Sequence, residues 1–509
     1  MKATRIALAL AALGMTAAHA ASLPGLTAAG VPTSNQILVS GASALSASFA
    51  GVVTSMCDVA GGGVVTTNSC GSSGVAVRCT KGKTDSGFSG VAFAVSKRDT
   101  DGSFAGVGNV ISGTPITGWC DAPAGGVGAG VTNTSGAGIA PDAGLTDVDT
   151  NVWVGMSNTG ALSLPVPAAS GVSLNGGFAG QGFGVMASEE LYKAMQNVQK
   201  ADGRLPSTCV TGDFVAGQCQ PSISKEEYAA VAVDGNFSYV VPSTVPVVGY
   251  VSPLTGDTNP INLCRRVETS GTQATSNVYF LNNSCGNASP TLGAKPPKKV
   301  DFSSGTAVTF VNGVSGAVVT GNYDDFGGAF GLFEGSGTGD ARNCVIRRNT
   351  SKNPNNVVDT LGTYAAGVIS LENTPAAGWK LLKIDGVSPN AYQTVLGEPI
   401  MIGKATDTDV NGDGVADSVA DGWIQDSTHR ITTVRGQYDF APEFEMLWPS
   451  ASGFATSLNK MKNTFADPAA VSLNGIFQAN GVFTHASNPT KVHKGTRSGN
   501  FCAPQILAE

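Results

Sequence analysis

Residues 264–280 read CRRVETSGTQATSNVYF, with two arginines placed four and five residues ahead of Ser270-Gly271-Thr272. The stretch after them is patterned for a helix, with Val278, Tyr279 and Leu281 on its apolar side. Ser270 or Thr272 then sits where an N-cap belongs. A helix start offers unpaired N–H groups and the positive end of the helix dipole. An arginine beside it adds a charged fork, and together they form the physical basis of an oxyanion site.

Three other turns carry similar chemistry. They are Ser40-Gly41-Ala42-Ser43, Asp101-Gly102-Ser103 and Pro141-Asp142-Ala143. Each lies where a strand pattern gives way to a helix or turn, which is where open α/β sheets bind ligands. Residues 35–56 read as strand, small-residue turn and helix. Residues 181–198 read as a strand running into a helix capped by Ser188, and 221–231 as a further capped helix. Strand patterns recur at 89–96, 361–371 and 379–385. Alternation of strands and helices predicts an α/β fold built on mainly parallel sheets with flanking helices. Gly-rich stretches at 104–140 and 286–340 read as loops or insertions.

Taken in order, the four turns resemble those of the phosphate-binding proteins of ABC transporters and the related DING phosphate-binding proteins. Arg266-Val-Glu-Thr-Ser270-Gly271-Thr272 matches that family's arginine, three residues, then Ser-Gly-Thr. Asp142-Ala-Gly-Leu-Thr-Asp147 is similar to its Ser-Asp-Ala-Pro-Leu-Ser-Asp turn, and Ser40–Ser43 to its Gly-Ala-Gly-Ala-Thr turn. Asp101-Gly102-Ser103 stands where the family has a Ser-Gly-Gly helix start. The resemblance implies a two-lobed type 2 periplasmic-binding fold, with a first lobe of 24–170 plus 373–509 and a second of 171–372. It implies a solute-binding protein that captures phosphate or a similar oxyanion between the lobes. The implied contacts are Ser43, Ser103, Asp142, Arg266, Ser270, Gly271 and Thr272. Asp142 is the implied selector, because a carboxylate accepts the proton of hydrogen phosphate and repels sulfate. Arg265 is expected to point away, to solvent or to a carboxylate. An ABC transporter permease is the implied partner. The alternative is a secreted or cell-surface structural or adhesive protein that keeps the scaffold without transport coupling.

Composition agrees with an exported capture protein. The chain opens with Lys2, Arg5, an apolar run and Ala18-His19-Ala20, the pattern of a cleaved signal peptide over 1–20, so a periplasmic or extracellular location is expected. No later segment reaches the length of a membrane span. Charged residues are 13% of the chain and its formal net charge is −7, with no basic block, which argues against nucleic acid. Ten cysteines and four histidines favour disulfides over zinc or haem. Cys209–Cys219 is the expected local bridge and Cys285–Cys344 a weaker pairing. No nucleophile–histidine or metal constellation for catalysis is evident, so no enzyme activity is expected.

Two further motifs stand apart. Glu334-Gly-Ser336-Gly-Thr338-Gly-Asp340 repeats Ser-Gly-Thr without a preceding arginine and reads as a plain glycine-rich turn. Asp409-Val-Asn411-Gly-Asp413-Gly-Val415-Ala-Asp417 fits a calcium-loop pattern, with the side chains of Asp409, Asn411, Asp413 and Asp417 and the Val415 carbonyl as ligands. Such an ion would stabilise the loop and take no part in capture. Chelation is therefore expected to lower the melting temperature, because a bound ion stabilises the folded state by mass action. Identical melting curves in chelator and in excess calcium would exclude the ion.

Overall fold

A computed structural model describes residues 22–507 apart from 101, 124–125, 135–137, 154–169, 235–251, 282–305, 312–317, 325–329, 336, 354–355, 394–422, 426–429, 435, 468, 472–475, 479–483, 486–487, 492–493 and 496–505. The expected signal peptide, the calcium-loop motif at 407–421, Cys285 and Cys502 lie outside the described residues. The fold is α/β and has two lobes, each with its own sheet and core.

The first lobe is organised by β1 (Gln36–Gly41), α1 (Ser46–Ser55), β2 (Phe93–Arg98), α2 (Gly102–Ser112), β3 (Ala143–Thr146) and β4 (Val172–Gln181). The second is organised by β5 (Phe183–Ser188), α3 (Glu189–Ala201), α4 (Lys225–Asp234), β6 (Asn262–Arg266), α5 (Gly271–Leu281), β7 (Leu332–Gly335), α6 (Thr338–Arg348), β8 (Ala365–Ser370) and β9 (Trp379–Leu381). The chain then rejoins the first sheet through β10 (Glu443–Pro449). The first sheet runs Val65–Ser69, Gly74–Cys79, β2, β1, β3, β10, β4 and three short strands after it. The second runs Thr306–Val311, Val318–Asp324, β7, β6, β8, β5, β9.

Both sheets are mixed, and parallel pairing is narrower than the strand–helix alternation suggested. Among the described residues of these two sheets it is confined to β1 with β2 and β3, and to β6 with β7 and β8. These central strands are continuously buried, as strands covered on both faces should be. Local signals placed their helices. Ser188 Oγ accepts from Leu191 N at 3.3 Å and caps α3. Ser224 Oγ accepts from Glu227 N at 3.0 Å while Glu227 Oε2 accepts from Ser224 N at 2.8 Å, a reciprocal cap for α4.

The chain changes sheets at a single residue, Gly182, so β4 belongs to the first sheet although a boundary at 171 was expected. The second expected boundary, at 372, falls inside the second lobe. β9 hydrogen-bonds to β5, with Trp379 opposite Ser188, and Ser222–Ile223 pairs with Lys383–Ile384. The crossing is shared by three segments. Leu371 N donates to Gly182 O at 2.8 Å, and Phe183 N donates to Phe440 O at 2.8 Å. Tyr438 Oη donates to Phe183 O at 2.6 Å.

Among the described residues four disulfides close: Cys57–Cys79, Cys70–Cys120, Cys209–Cys219 and Cys264–Cys344. The expected Cys285–Cys344 pairing is corrected, because α6 packs on β6 and carries Cys344 onto Cys264 in the second-lobe core. Among the described residues no group of His, Cys, Asp or Glu is placed to hold a metal, and no helix is long and apolar enough to cross a membrane.

Adjacent strand residues face opposite ways, and β6 uses this to separate its two arginines. Arg265 lies opposite Glu334 of β7 in register. Arg265 Nε donates to Glu334 Oε1 at 2.8 Å, with both side chains buried. Burial pushes the Glu334 carboxyl up, and the Arg265 guanidinium pulls it back. Breaking such a pair strands a buried charge, at a cost of about 3–5 kcal/mol. Arg265→Ala should therefore lower the melting temperature by many degrees. Arg265→Met with Glu334→Leu should recover much of that loss. If the double variant melts below both single variants, the cost is not one of unpaired charge.

Candidate functional site

The C-terminal ends of the central strands of both sheets converge on one cleft. Arg266, the last residue of β6, is its centre and is 1% exposed. Arg266 Nη2 donates to Ser43 Oγ at 3.0 Å across the cleft. Arg266 Nη1 donates to Thr338 Oγ1 at 3.0 Å, and Nε to Gly335 O at 3.3 Å. Burial lowers the pKa of the guanidinium, while Asp147, Asp340 and Asp99 nearby oppose that effect. An arginine stays charged under such a shift.

Each wall of the cleft comes from a turn that follows a strand. After β1, Ala42 takes a left-handed conformation (φ 39°, ψ 68°) and Ser43 opens a short 3-10 turn into α1. After β2, Ser103 sits in the first turn of α2 and is fully buried. After β3 comes Asp147, 1% exposed, whose carboxylate accepts from Ser103 Oγ. After β6, Ser270, Gly271 and Thr272 are all buried at the start of α5. The two lobes meet directly here, with Phe104 N donating to Thr269 O at 3.0 Å.

Glycine is required where these turns crowd together. A Cβ on Gly271 would lie 1.6 Å from Asp147 Oδ1 and 2.6 Å from Ser103 Oγ. Only a bare backbone lets the start of α5 face that carboxylate. In the first lobe, a Cβ on Gly144 would lie 1.7 Å from Gly106 O, so α2 rests backbone-to-backbone on the sheet.

Thr272 Oγ1 is buried and has no hydrogen-bond partner among the described residues, and the same holds for Thr275 Oγ1 on the next turn of α5. Buried hydroxyls left unsatisfied are uncommon and costly. Thr272 lies at the helix start beside Gly271, the position where an anion would collect donors.

Ser43, Ser103, Arg266, Ser270, Gly271 and Thr272 thus all lie at the cleft. Asp142 does not. It precedes β3, at the opposite end of that strand from Asp147, roughly 16 Å away at the rise of a β-strand. Asp142 Oδ2 accepts from Leu38 N at 2.8 Å, a bond that ties β3 to β1. Asp147 holds the cleft position instead. It is the last residue of the motif that includes Asp142, and placing the strand at Ala143–Thr146 identifies it. Thr338 is the second residue that sequence reasoning passed over. The repeated Ser-Gly-Thr follows β7 and opens α6, with Asp340 Oδ2 accepting from Gly337 N at 2.8 Å as a cap. Asp101 lies outside the described residues.

No family model and no curated protein matches the chain. Its structural neighbours include a phosphate ABC transporter substrate-binding protein from Clostridium perfringens, solved with bound phosphate. That likeness has 10% identity, 85% of this chain and 94% of that chain covered, and a TM-score of 0.37. They also include an ABC-type phosphate transport receptor from Vibrio cholerae, with 10% identity, 83% and 93% covered, and a TM-score of 0.30.

Burial pushes the Asp142 carboxyl up to about 8, against the Leu38 N–H bond that favours its charged form. A carboxyl raised on folding stabilises the fold fully below its unfolded pKa, and that contribution is lost as pH rises through about 8. Asp142→Asn keeps an acceptor for Leu38 N and removes the titration. The variant and the wild type should melt most nearly alike near pH 4, and the variant should melt increasingly higher as pH rises from there to 9. Parallel profiles across that range would show that Asp142 does not titrate there.

Proposed function

We propose that the protein is a non-enzymatic solute-binding protein that captures a tetrahedral oxyanion, hydrogen phosphate, in the cleft between its lobes. The observation that carries this reading is a fully buried arginine beside a helix start whose threonine hydroxyl, Thr272, lacks a partner. Arg266 supplies a charged fork that suits two oxygens. Ser43, Ser270 and Thr272 supply neutral donors, Ser103 holds Asp147 in place, and the first N–H groups of α5 complete the set. Donors come from both lobes, so binding favours closure about the Gly182 crossing. An ABC transporter permease is the partner this role calls for, and an extracytoplasmic location suits it.

Asp147 gives the choice of ligand. An anion facing this carboxylate is repelled unless a proton lies between them. Hydrogen phosphate brings that proton at neutral pH, and sulfate does not. Burial raises the pKa of Asp147, while Ser103, Arg266 and Lys97 hold it down. As pH falls and Asp147 takes up its own proton, the repulsion of sulfate is lost.

Calorimetric titration with phosphate, arsenate and sulfate tests the reading. Phosphate and arsenate should bind near neutral pH and sulfate should not. Arg266→Ala should weaken phosphate by roughly 30- to 1000-fold, about 2–4 kcal/mol. Asp147→Asn should admit sulfate, whereas Asp142→Asn should leave selectivity unchanged. A folded wild-type protein that takes up none of the three anions would refute the assignment and leave a scaffold role.

A further inference from the structure

The turn that carries Ser43 stands on a buried lysine. Lys97 of β2 is fully buried, level with Val39 of β1. Its ammonium donates to the Ala42 carbonyl at 3.0 Å, to Ser46 Oγ at 3.1 Å and to Asp99 Oδ1. These three bonds use every proton an ammonium has. Asp99 also accepts from Ser46 Oγ at 2.5 Å, and the Phe49 ring centroid lies 5.9 Å from Lys97 Nζ. A counter-ion for Asp99 alone would not need to reach the backbone of the turn.

What it reaches there is strained. Ala42 is a buried alanine at φ 39°, the left-handed region that residues with a Cβ avoid. Such a conformation persists only where its surroundings over-determine it. The Ala42 carbonyl accepts from Leu45 N at 2.9 Å, which closes the 3-10 turn, and from Lys97 Nζ. Ser43 follows at once, and its hydroxyl is the group that meets Arg266 across the cleft.

We propose that Lys97 is a positioning residue of the oxyanion site: it pins the left-handed Ala42 carbonyl, so that Ser43 stays aimed into the cleft, and it never touches the ligand. Its role in capture rests on the reading given above, whereas the pin itself is a property of the unliganded protein. Lys97 also places a positive charge behind Ser43, close enough to act on Asp147 and on Glu372.

The test uses Lys97→Met paired with Asp99→Asn, so that no buried carboxylate is stranded, with and without Ala42→Gly. Glycine takes the left-handed conformation freely. Hydrogen–deuterium exchange of the unliganded protein and calorimetric titration with inorganic phosphate are both read. The Lys97→Met/Asp99→Asn protein should exchange faster at residues 41–46, with the rest of the first sheet unchanged. It should bind phosphate about tenfold more weakly. Ala42→Gly in that background should restore part of both the protection and the affinity. Unchanged exchange at 41–46 would overturn the pin. So would loss of protection across the whole first sheet, or failure to fold, either of which makes Lys97 a structural counter-ion. A wild-type protein that ignores phosphate would sink the capture reading, while the local exchange result would still decide the pin.

Discussion

The fold is arranged around one buried guanidinium. Arg266 carries a full charge at 1% exposure in a chain with few charges to spare. That burial is tolerable only if every part of the group is met, because an unpaired charge in a protein interior is expensive. The surrounding turns supply what it needs. Ser43 reaches it from the first lobe, Thr338 and the Gly335 carbonyl from the second, and Asp147, Asp340 and Asp99 balance its charge. Because these groups come from strand ends far apart in sequence, holding Arg266 ties the first lobe to the second through Ser43.

On the proposed reading, a guanidinium balanced by several carboxylates would make a selective host. The neighbouring acids would lower the affinity of such a site for any fully ionised anion, and the neutral hydroxyls and helix N–H groups would set its geometry. A protein of overall negative charge would in that way carry a local anion site without general affinity for polyanions. Selectivity then depends on protons, since an acid that faces the ligand distinguishes anions by whether they still carry one.

Parts of this were legible in the sequence because they are local. The cap at Ser188, the strand–turn–helix of 35–56 and the Arg266–Thr272 turn each depend on neighbours within a few residues. Non-local facts were not legible. Glu334 meets Arg265 only because β6 and β7 pair in parallel, and no spacing announces that register. The same limit moved the acidic residue of the cleft from Asp142 to Asp147. Both lie in one short motif, and only the placement of β3 shows which end of the strand lies beside Arg266. Thr338 was discounted because no arginine precedes it, yet the arginine it serves lies 72 residues earlier. Cys344 found Cys264 for the same reason, through a helix laid on a strand.

The glycine contacts beneath α2 bear on how sequence variation here would be interpreted. Gly41, Gly106 and Gly144 let a helix lie directly on two strands, and the atoms a Cβ would meet are backbone atoms that cannot rotate aside. A saturation library would therefore score these three positions as intolerant to nearly everything, much like the ligand-facing residues. They would look like recognition determinants in such a map, although what they do is let α2 sit against the sheet and, at Gly41, let the chain take a positive φ.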